Sequence, residues 1–318
     1  MKIAFVFPGQ GAQTVGMLNA WSTVPAVTTL IAQADQALAE SPGFAGAPLS
    51  QIIAEGPPEL LGLTVNTQPA MLLAAIAALT AWQHAGGPKG ALLAGHSLGE
   101  YSALVASGSL TLSQALPLVR LRAQAMQEAV PVGTGSMAAI LGLSDEAVLK
   151  VCQDSGQGEV VEAVNFNAPA QVVIAGHASA VTRACEAAKV AGAKRALPLA
   201  VSAPFHSSLL KPAGDRLRIA LEALDLVPPG IPLVNNVDVA IQADPVAIKD
   251  ALVRQAYSPV RWVEVVQKMK SEGIDTVVEF GPGKVLTGLI GRIEKEIKTY
   301  AVFDPGSLQA TLEAIRTL

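Results

Sequence analysis

Short apolar runs alternate along this chain with longer segments that have the composition of helices. Ile3–Phe7 and Thr276–Phe280 are short and rich in β-branched and aromatic residues, as strands are. Gln68–His84 is rich in Ala, Leu and Met over the length of a buried helix, and a Gly-Gly-Pro break follows it. The alternation predicts an α/β protein with a mainly parallel sheet.

The same alternation continues on both sides of the middle of the chain. It predicts a strand at Ala91–Ala94, helices at Leu98–Ser107 and Leu112–Ala129, and a helix that begins at Lys284. A Gly-Pro-Gly turn separates that last helix from the strand before it.

The middle of the chain has a different order of predicted elements, βαββαβ. The predicted elements are Met137–Leu141, Ser144–Gln153, Val160–Asn165, Val172–Ala175, Ala178–Val190 and Arg195–Leu199. This order is typical of a ferredoxin-like fold. We therefore predict a ferredoxin-like subdomain at 132–201, inserted into a larger α/β domain that consists of 1–131 and 202–318.

The composition indicates a soluble globular protein and argues against a disordered or nucleic-acid-binding one. Of 318 residues 51% are hydrophobic, and 22 basic and 26 acidic residues give a net charge of −4 without basic runs. The longest nearly apolar stretch, Pro69–Leu79, is shorter than the roughly 18 residues that a membrane span needs.

The two cysteines, Cys152 and Cys185, form no CxxC motif. We therefore predict neither a disulfide framework nor a metal site, and we expect a cytoplasmic location.

The sequence GHSLGE at residues 95–100 contains the pattern G-x-S-x-G between a predicted strand and a predicted helix. In this context the pattern indicates a nucleophile elbow, a sharp turn that lifts a serine hydroxyl above the sheet edge. Ser97 is the candidate nucleophile, and the N–H group of Leu98 is a candidate for stabilising an oxyanion. The alternative is a surface turn whose serine caps a helix.

A nucleophilic serine needs a base, and the chain has four histidines. His84 lies at a predicted helix end, His96 is adjacent to the serine, and His177 opens a predicted helix. By elimination His206, where the chain re-enters the larger domain, is the favoured base. No triad acid is apparent, so a backbone carbonyl is a candidate for orienting the histidine.

Arg122 is a second chemical signal, because its neighbours on the predicted helix are apolar. An unpaired guanidinium on an apolar face is costly, and a carboxylate partner would remove that cost. The carboxylate could belong to an Asp or Glu of the protein or to a substrate, and the spacing does not decide between them.

A glycine-rich loop, Pro8–Gln13, directly follows the first predicted strand. Loops at the carboxyl ends of strands commonly bind ligands in open α/β sheets. The loop has no GxGxxG pattern and no Walker lysine, so it gives little support to nucleotide binding. Its N–H groups could complete an oxyanion hole, and an ordinary tight turn is the alternative.

Taken together, these motifs resemble one known family. PGQGAQ, GHSLGEYSAL, RAQAM, NFNAP, the pair Phe205-His206 and GPGKVL occur in this order. The series is similar to that of the malonyl-CoA:acyl-carrier-protein transacylases and of the acyltransferase domains of fatty-acid and polyketide synthases. The resemblance covers nearly the whole chain and implies an α/β-hydrolase-like core that carries a ferredoxin-like subdomain.

The resemblance also implies roles for individual residues. Ser97 would carry a malonyl ester, and His206 would act as its general base and acid. The N–H groups of Gln10 and Leu98 would form the oxyanion hole. The main-chain carbonyl of Gln255 would orient the histidine.

Further positions would bind or select the substrate by the same resemblance. Arg122 would bind the malonyl carboxylate, and Asn165 and Asn167 would line the site with polar contacts. Leu98 and Phe205 match residues that are common in malonyl-selective members of the family.

The implied reaction transfers malonyl from malonyl-CoA to the phosphopantetheine thiol of acyl carrier protein through a malonyl-serine intermediate, for fatty acid synthesis. It implies no cofactor and no metal, and its partners are malonyl-CoA and the carrier protein rather than nucleic acid or membrane. We expect a monomer. The alternatives are a serine thioesterase or esterase, an acyltransferase for another acyl-CoA in polyketide synthesis, and a non-catalytic protein that binds a carrier protein.

Overall fold

The computed structural model describes residues 1–41, 46–201 and 203–317. Within these ranges the strands are β1 (Ile3–Phe7), β2 (Leu92–Gly95), β3 (Gly135–Leu141), β4 (Val161–Ala168), β5 (Gln171–His177), β6 (Arg195–Pro198), β7 (Leu233–Val234), β8 (Thr276–Phe280) and β9 (Lys298–Val302). The α-helices are α1 (Pro25–Ala39), α2 (Leu49–Glu55), α3 (Pro58–Gly62), α4 (Thr64–His84), α5 (Gly99–Ala106), α6 (Leu112–Glu128), α7 (Asp145–Ser155), α8 (Ala178–Val190), α9 (Lys211–Glu222), α10 (Pro245–Gln255), α11 (Trp262–Ser271), α12 (Val285–Ile293) and α13 (Pro305–Arg316). Short 3-10 helices occur at Asn19–Trp21 and Ser208–Leu210.

One sheet has the strand order β7-β2-β1-β8-β9, and its neighbouring strands pair in parallel. Phe5 and Phe7 of β1 face one apolar cluster, and Ala4 and Val6 face another, so both faces of the sheet are covered. The prediction of an α/β protein with a parallel sheet is confirmed. Phe7 is paired with Gly95, so the segments that follow β1 and β2 emerge side by side at one edge.

A second sheet has the order β4-β5-β3-β6, and its strands pair in antiparallel fashion. The chain passes through it in the order β3-α7-β4-β5-α8-β6, which is the βαββαβ order expected from the sequence. Helices α7 and α8 cover one face, where Ile140, Val148 and Ala184 share an apolar cluster. Val164 and Val173 instead join the large cluster that includes α4 and α6. The second sheet is therefore packed against the rest of the protein.

Helix α4 passes through the large core. By length and composition this helix is apolar enough to cross a membrane. The nearly apolar stretch within it, Pro69–Leu79, is shorter than a membrane span. In the fold, 89% of the most apolar window of the helix is buried inside the protein. It begins four residues before the predicted start, because Asn66 and Thr67 donate side-chain hydrogen bonds to the carbonyls of Leu60 and Leu61. These bonds allow polar residues to be buried in its first turn.

Other observed bounds differ from the predicted ones by a few residues. β4 continues to Ala168 and β5 begins at Gln171, so the hairpin turn is tighter than expected. β2 ends at Gly95 rather than Ala94, because Gly95 still pairs with β1. Backbone pairing continues past the apolar residues that mark a strand in the sequence, which explains these differences.

Candidate active site

The turn between β2 and α5 holds Ser97 in a left-handed backbone conformation, with a φ of 52°. A Cβ atom on Gly95 would lie 1.9 Å from the carbonyl of Gly99, and a Cβ on Gly99 would lie 1.9 Å from the carbonyl oxygen of Phe7. Only glycine fits at these two positions. The turn therefore has the geometry of a nucleophile elbow, with its serine at the edge where β1 and β2 end.

Ser97 and His206 are distant in sequence and adjacent in space. The distance between Ser97 Oγ and His206 Nε2 is 2.7 Å, and His206 Nδ1 lies 2.8 Å from the main-chain oxygen of Gln255. A carbonyl oxygen only accepts hydrogen bonds, so Nδ1 carries the proton and Nε2 accepts the proton of the serine. A carbonyl thus occupies the position of the triad acid that the sequence does not supply.

The surroundings of His206 hold its imidazole neutral. The side chain is 4% exposed, and burial lowers its pKa to about 3, with the positive charge of Arg122 as the next cause. The neutral imidazole is the form that can take a proton from a serine. His206 can therefore act as a base over a wide pH range.

The guanidinium of Arg122 lies in the same site and is 2% exposed. Its Nη1 donates to Gln68 Oε1 at 2.7 Å, and its Nη2 donates to Ser97 Oγ at 3.1 Å and to Gln255 Oε1 at 2.9 Å. Its Cζ atom lies 5.3 Å from the centre of the Tyr101 ring. These hydrogen-bond partners are uncharged, and within the described ranges Arg122 forms no direct ion pair. Glu100 lies near enough to interact electrostatically with the guanidinium. Gln68 was not predicted, because nothing local distinguishes it within an apolar helix.

A second layer of polar residues lies behind the serine and was also missed. Asn236 Oδ1 accepts from the N–H of Ser97, and its Nδ2 donates to the carbonyl of Gly95, both at 2.7 Å. Glu100 Oε2 accepts from the N–H of Asn236 at 3.0 Å and from Gln255 Nε2 at 2.9 Å. Burial raises the pKa of Glu100 to about 7. Glu100 could have been found from the sequence, because it is a charged residue inside the elbow motif. No local pattern in the sequence marks Asn236.

The predicted residues of both sheets meet around a cavity of about 290 Å³. Its lining includes Gln10, Ser97, Leu98, Arg122, Asn165, Asn167, Phe205 and His206. Among the described residues, no hydrogen bond runs from the N–H group of Gln10 or of Leu98 to a protein acceptor. His96 Nε2 lies 2.7 Å from Asn167 Oδ1 and so binds the asparagine rather than the serine.

Two further expectations concern metals and cysteines. In the ranges that the structure describes, no three His, Cys, Asp or Glu side chains form a group that could hold a metal ion. Cys152 and Cys185 are both buried as free thiols. His177 precedes the first residue of α8, and its Nδ1 accepts a hydrogen bond from the N–H of Val160 at 2.9 Å.

Comparison with known proteins agrees with this geometry. The chain matches the family of acyl transferase domains over residues 4–307. It is 50% identical over 313 residues to the malonyl CoA-acyl carrier protein transacylase of Escherichia coli K12, covering 98% of this chain and 99% of that protein. The chain belongs to the malonyl CoA-acyl carrier protein transacylase family.

Solved structures of this transacylase family are similar over nearly the whole chain. The acyl-carrier-protein S-malonyltransferase of Burkholderia pseudomallei 1710b is 58% identical, with a TM-score of 0.95, and the match covers 98% of this chain and 100% of that one. A structure of a type II polyketide synthase acyl-carrier protein in complex with its malonyl-transacylase matches at 48% identity and a TM-score of 0.95, over 99% and 100% of the chains. The family resemblance inferred from the motifs is confirmed.

Proposed function

We propose that this chain transfers a malonyl group from malonyl-CoA to the phosphopantetheine thiol of an acyl carrier protein and so supplies extender units for fatty acid synthesis. The names of its relatives support the reaction, and the relative in complex with a carrier protein supports the partner. One observation carries the proposal. Ser97 Oγ contacts both a base, His206 Nε2 at 2.7 Å, and a cation, Arg122 Nη2 at 3.1 Å.

In the first half-reaction Ser97 Oγ attacks the thioester carbonyl of malonyl-CoA while His206 Nε2 takes its proton. The C–S bond breaks, CoA leaves as a thiol with the proton from His206, and a malonyl ester remains on Ser97. The N–H groups of Gln10 and Leu98 stabilise the negative charge on the carbonyl oxygen. The carbonyl of Gln255 stabilises the protonated imidazole.

In the second half-reaction the thiol of the carrier protein gives its proton to His206 and attacks the ester carbonyl. The bond between the acyl carbon and Ser97 Oγ breaks, and His206 returns the proton to the serine. The malonyl group leaves as a thioester of the carrier protein. Each step moves one proton and one acyl group, so the cycle calls for no metal and no organic cofactor.

Arg122 selects the acyl group by its charge. In malonyl-CoA a single methylene carbon separates the thioester from the carboxylate, so a cation that contacts the serine oxygen also reaches the carboxylate. An acetyl group would leave the buried guanidinium without a carboxylate in direct contact with it. Leu98 and Phe205 line the cavity and restrict the width of the acyl group, and Asn165 and Asn167 offer it polar contacts.

A groove of about 850 Å³ adjoins the cavity and shares Gln10, Leu199, Val201 and Phe205 with it. We assign this groove to the phosphopantetheine arm, which is common to CoA and the carrier protein. Its largely apolar wall suits an arm that is uncharged up to its phosphate, and its continuity with the cavity brings the sulfur to Ser97.

The fold supports a finer assignment of the architecture. We propose an α/β-hydrolase-like catalytic domain at 1–131 and 202–318, supported by the elbow between β2 and α5. We propose a ferredoxin-like subdomain at 132–201, supported by the strand order β4-β5-β3-β6. We also propose that the protein acts as a monomer in the cytoplasm.

Intact-mass spectrometry after addition of malonyl-CoA tests the first half-reaction. We expect one malonyl adduct on the wild type and none on Ser97→Ala. Ser102→Ala is the matched control, because Ser102 is a buried serine of α5 whose hydroxyl has no partner among the described residues, and it should label like the wild type. Release of CoA without an adduct would indicate a thioesterase. An adduct from another acyl-CoA only would indicate a different acyltransferase.

A further inference from the structure

Glu100 is a buried carboxylate next to the site, and the proposed reaction does not use it. It is 2% exposed and lies in the first turn of α5. A buried carboxylate is costly unless its oxygens are hydrogen-bonded. Its Oε2 accepts from Gln255 Nε2 at 2.9 Å and from the N–H of Asn236 at 3.0 Å. Both donors also contact the reacting part of the site.

The side chain of Gln255 connects Glu100 with Arg122. Its oxygen accepts from Arg122 Nη2 at 2.9 Å, and its nitrogen donates to Glu100 Oε2 and, at 3.0 Å, to the carbonyl of Ser97. One end of a carboxamide accepts hydrogen bonds and the other end donates them. The guanidinium of Arg122 requires the accepting oxygen, and the carboxylate of Glu100 requires the donating nitrogen. Glu100 therefore favours the orientation in which the oxygen of Gln255 faces Arg122.

We propose that Glu100 is a positioning residue for acyl selection, which acts through the carboxamide of Gln255 to hold the guanidinium of Arg122 beside Ser97. Asn236 provides a second connection, since its N–H binds Glu100 and its side chain binds the N–H of Ser97. The inference rests on the proposed function for its choice of acyl substrates.

Substitutions at Glu100 separate hydrogen bonding from charge. Glu100→Gln removes the charge but keeps an oxygen that can accept both bonds, because both donors meet the same carboxylate oxygen. Glu100→Met keeps the length and the unbranched shape but removes the acceptor. Leu312→Ala, in the buried face of α13 and outside this network, is the control for a loss of stability alone.

The readout is the ratio of kcat/KM for malonyl-serine formation to that for acetyl-serine formation. We expect Glu100→Met to lower the malonyl value about 10- to 100-fold, as for a lost hydrogen bond to a charged group, and the acetyl value far less. Glu100→Gln should restore most of the ratio. Leu312→Ala should leave the ratio at the wild-type value.

An unchanged ratio in Glu100→Met would overturn the proposal. Equal losses in Glu100→Gln and Glu100→Met would also overturn it, because the charge rather than the hydrogen bonds would then be responsible. If Glu100→Met does not fold, Gln255→Met removes the carboxamide and leaves the main-chain carbonyl for His206. We expect its ratio to fall about tenfold, and no fall would refute the inference. A wild type that takes no malonyl group would instead count against the proposed function.

Discussion

At the scale of single residues, Ser97 Oγ has two partners of opposite kind. It donates to the neutral imidazole of His206 and accepts from the guanidinium of Arg122. Both contacts favour negative charge on the oxygen, one by removing its proton and the other by its positive charge. Arg122 is therefore placed to act on the nucleophile, in addition to the binding of the malonyl carboxylate that we propose for it.

Replacement of Arg122 tests the carboxylate role. We expect Arg122→Ala to lower kcat/KM for malonyl transfer about 100-fold, as for the loss of a charged hydrogen-bond donor, and acetyl transfer clearly less. Arg122→Lys keeps the charge without the planar fork and should recover part of the loss. Gln124→Ala, an exposed position of α6, is the control. Equal losses with both acyl groups would disprove selection by Arg122.

The pH dependence of malonyl-serine formation tests the state of His206. Burial lowers the pKa of His206 to about 3, so protonation and loss of the base set in far below the usual value of 6.5. We expect no step that belongs to His206 between pH 5 and pH 8. Because the pKa of Glu100 is raised to about 7, the profile should also be recorded for Glu100→Gln. A step near pH 6.5 that persists in this variant would contradict the neutral histidine.

At the scale of elements, the elbow depends on the close approach of α5 to the ends of β1 and β2. Gly99 lies against the carbonyl of Phe7, and Gly95 lies against the carbonyl of Gly99. The motif in the sequence was sufficient to predict this turn, because the pattern and the steric requirement are local. The start of α4 was not predictable in the same way, since Asn66 and Thr67 look like loop residues until their hydrogen bonds are known.

Alanine substitutions distinguish a glycine that is required by a close backbone contact from one that only makes the chain more flexible. Gly99→Ala would place a Cβ 1.9 Å from a backbone oxygen, so we expect loss of malonyl-serine formation together with loss of stability. Gly291→Ala, in α12, meets no atom within 4 Å and should stabilise the protein by about 0.5–1 kcal/mol without loss of activity. Urea unfolding and adduct formation measure both. Wild-type labelling of Gly99→Ala would show that the turn does not need glycine there.

At the scale of the whole molecule, the site joins residues from distant parts of the chain. The proximity of Ser97 and His206 was predictable, because a motif marks the serine as a candidate nucleophile and elimination among four histidines favours His206 as its partner. Gln68 and Asn236 were not, because a polar residue whose partners are far away in sequence leaves no local pattern. The family resemblance supplied Gln255, and the structure adds its side-chain contact with Arg122.

We expect Glu279 to make global stability depend on pH. Its carboxylate is buried and accepts from the N–H groups of Leu286 at 3.0 Å and Thr287 at 2.7 Å, and burial raises its pKa from 4.5 to about 7. Between these values the folded state keeps a proton that the unfolded state has lost, so stability falls as the pH rises from about 4.5 to about 7 and then levels off.

Glu279→Gln should remove this contribution, because the amide does not titrate. Urea unfolding at pH 5 and pH 8 should show that the wild type loses more stability than the variant over this interval, by up to roughly 3 kcal/mol. Equal losses in both proteins would show that Glu279 does not titrate as described.

The proposed reaction is acyl transfer rather than hydrolysis, and a chase of the isolated malonyl-enzyme distinguishes the two. The adduct on Ser97 would be freed of CoA, mixed with phosphopantetheinylated acyl carrier protein, and followed by intact mass on both proteins. We expect the malonyl mass to leave the enzyme and to appear on the carrier protein, while without the carrier protein the adduct persists. Loss of the adduct as free malonate at the same rate with or without the carrier protein would show that the enzyme hydrolyses the ester instead of transferring the acyl group.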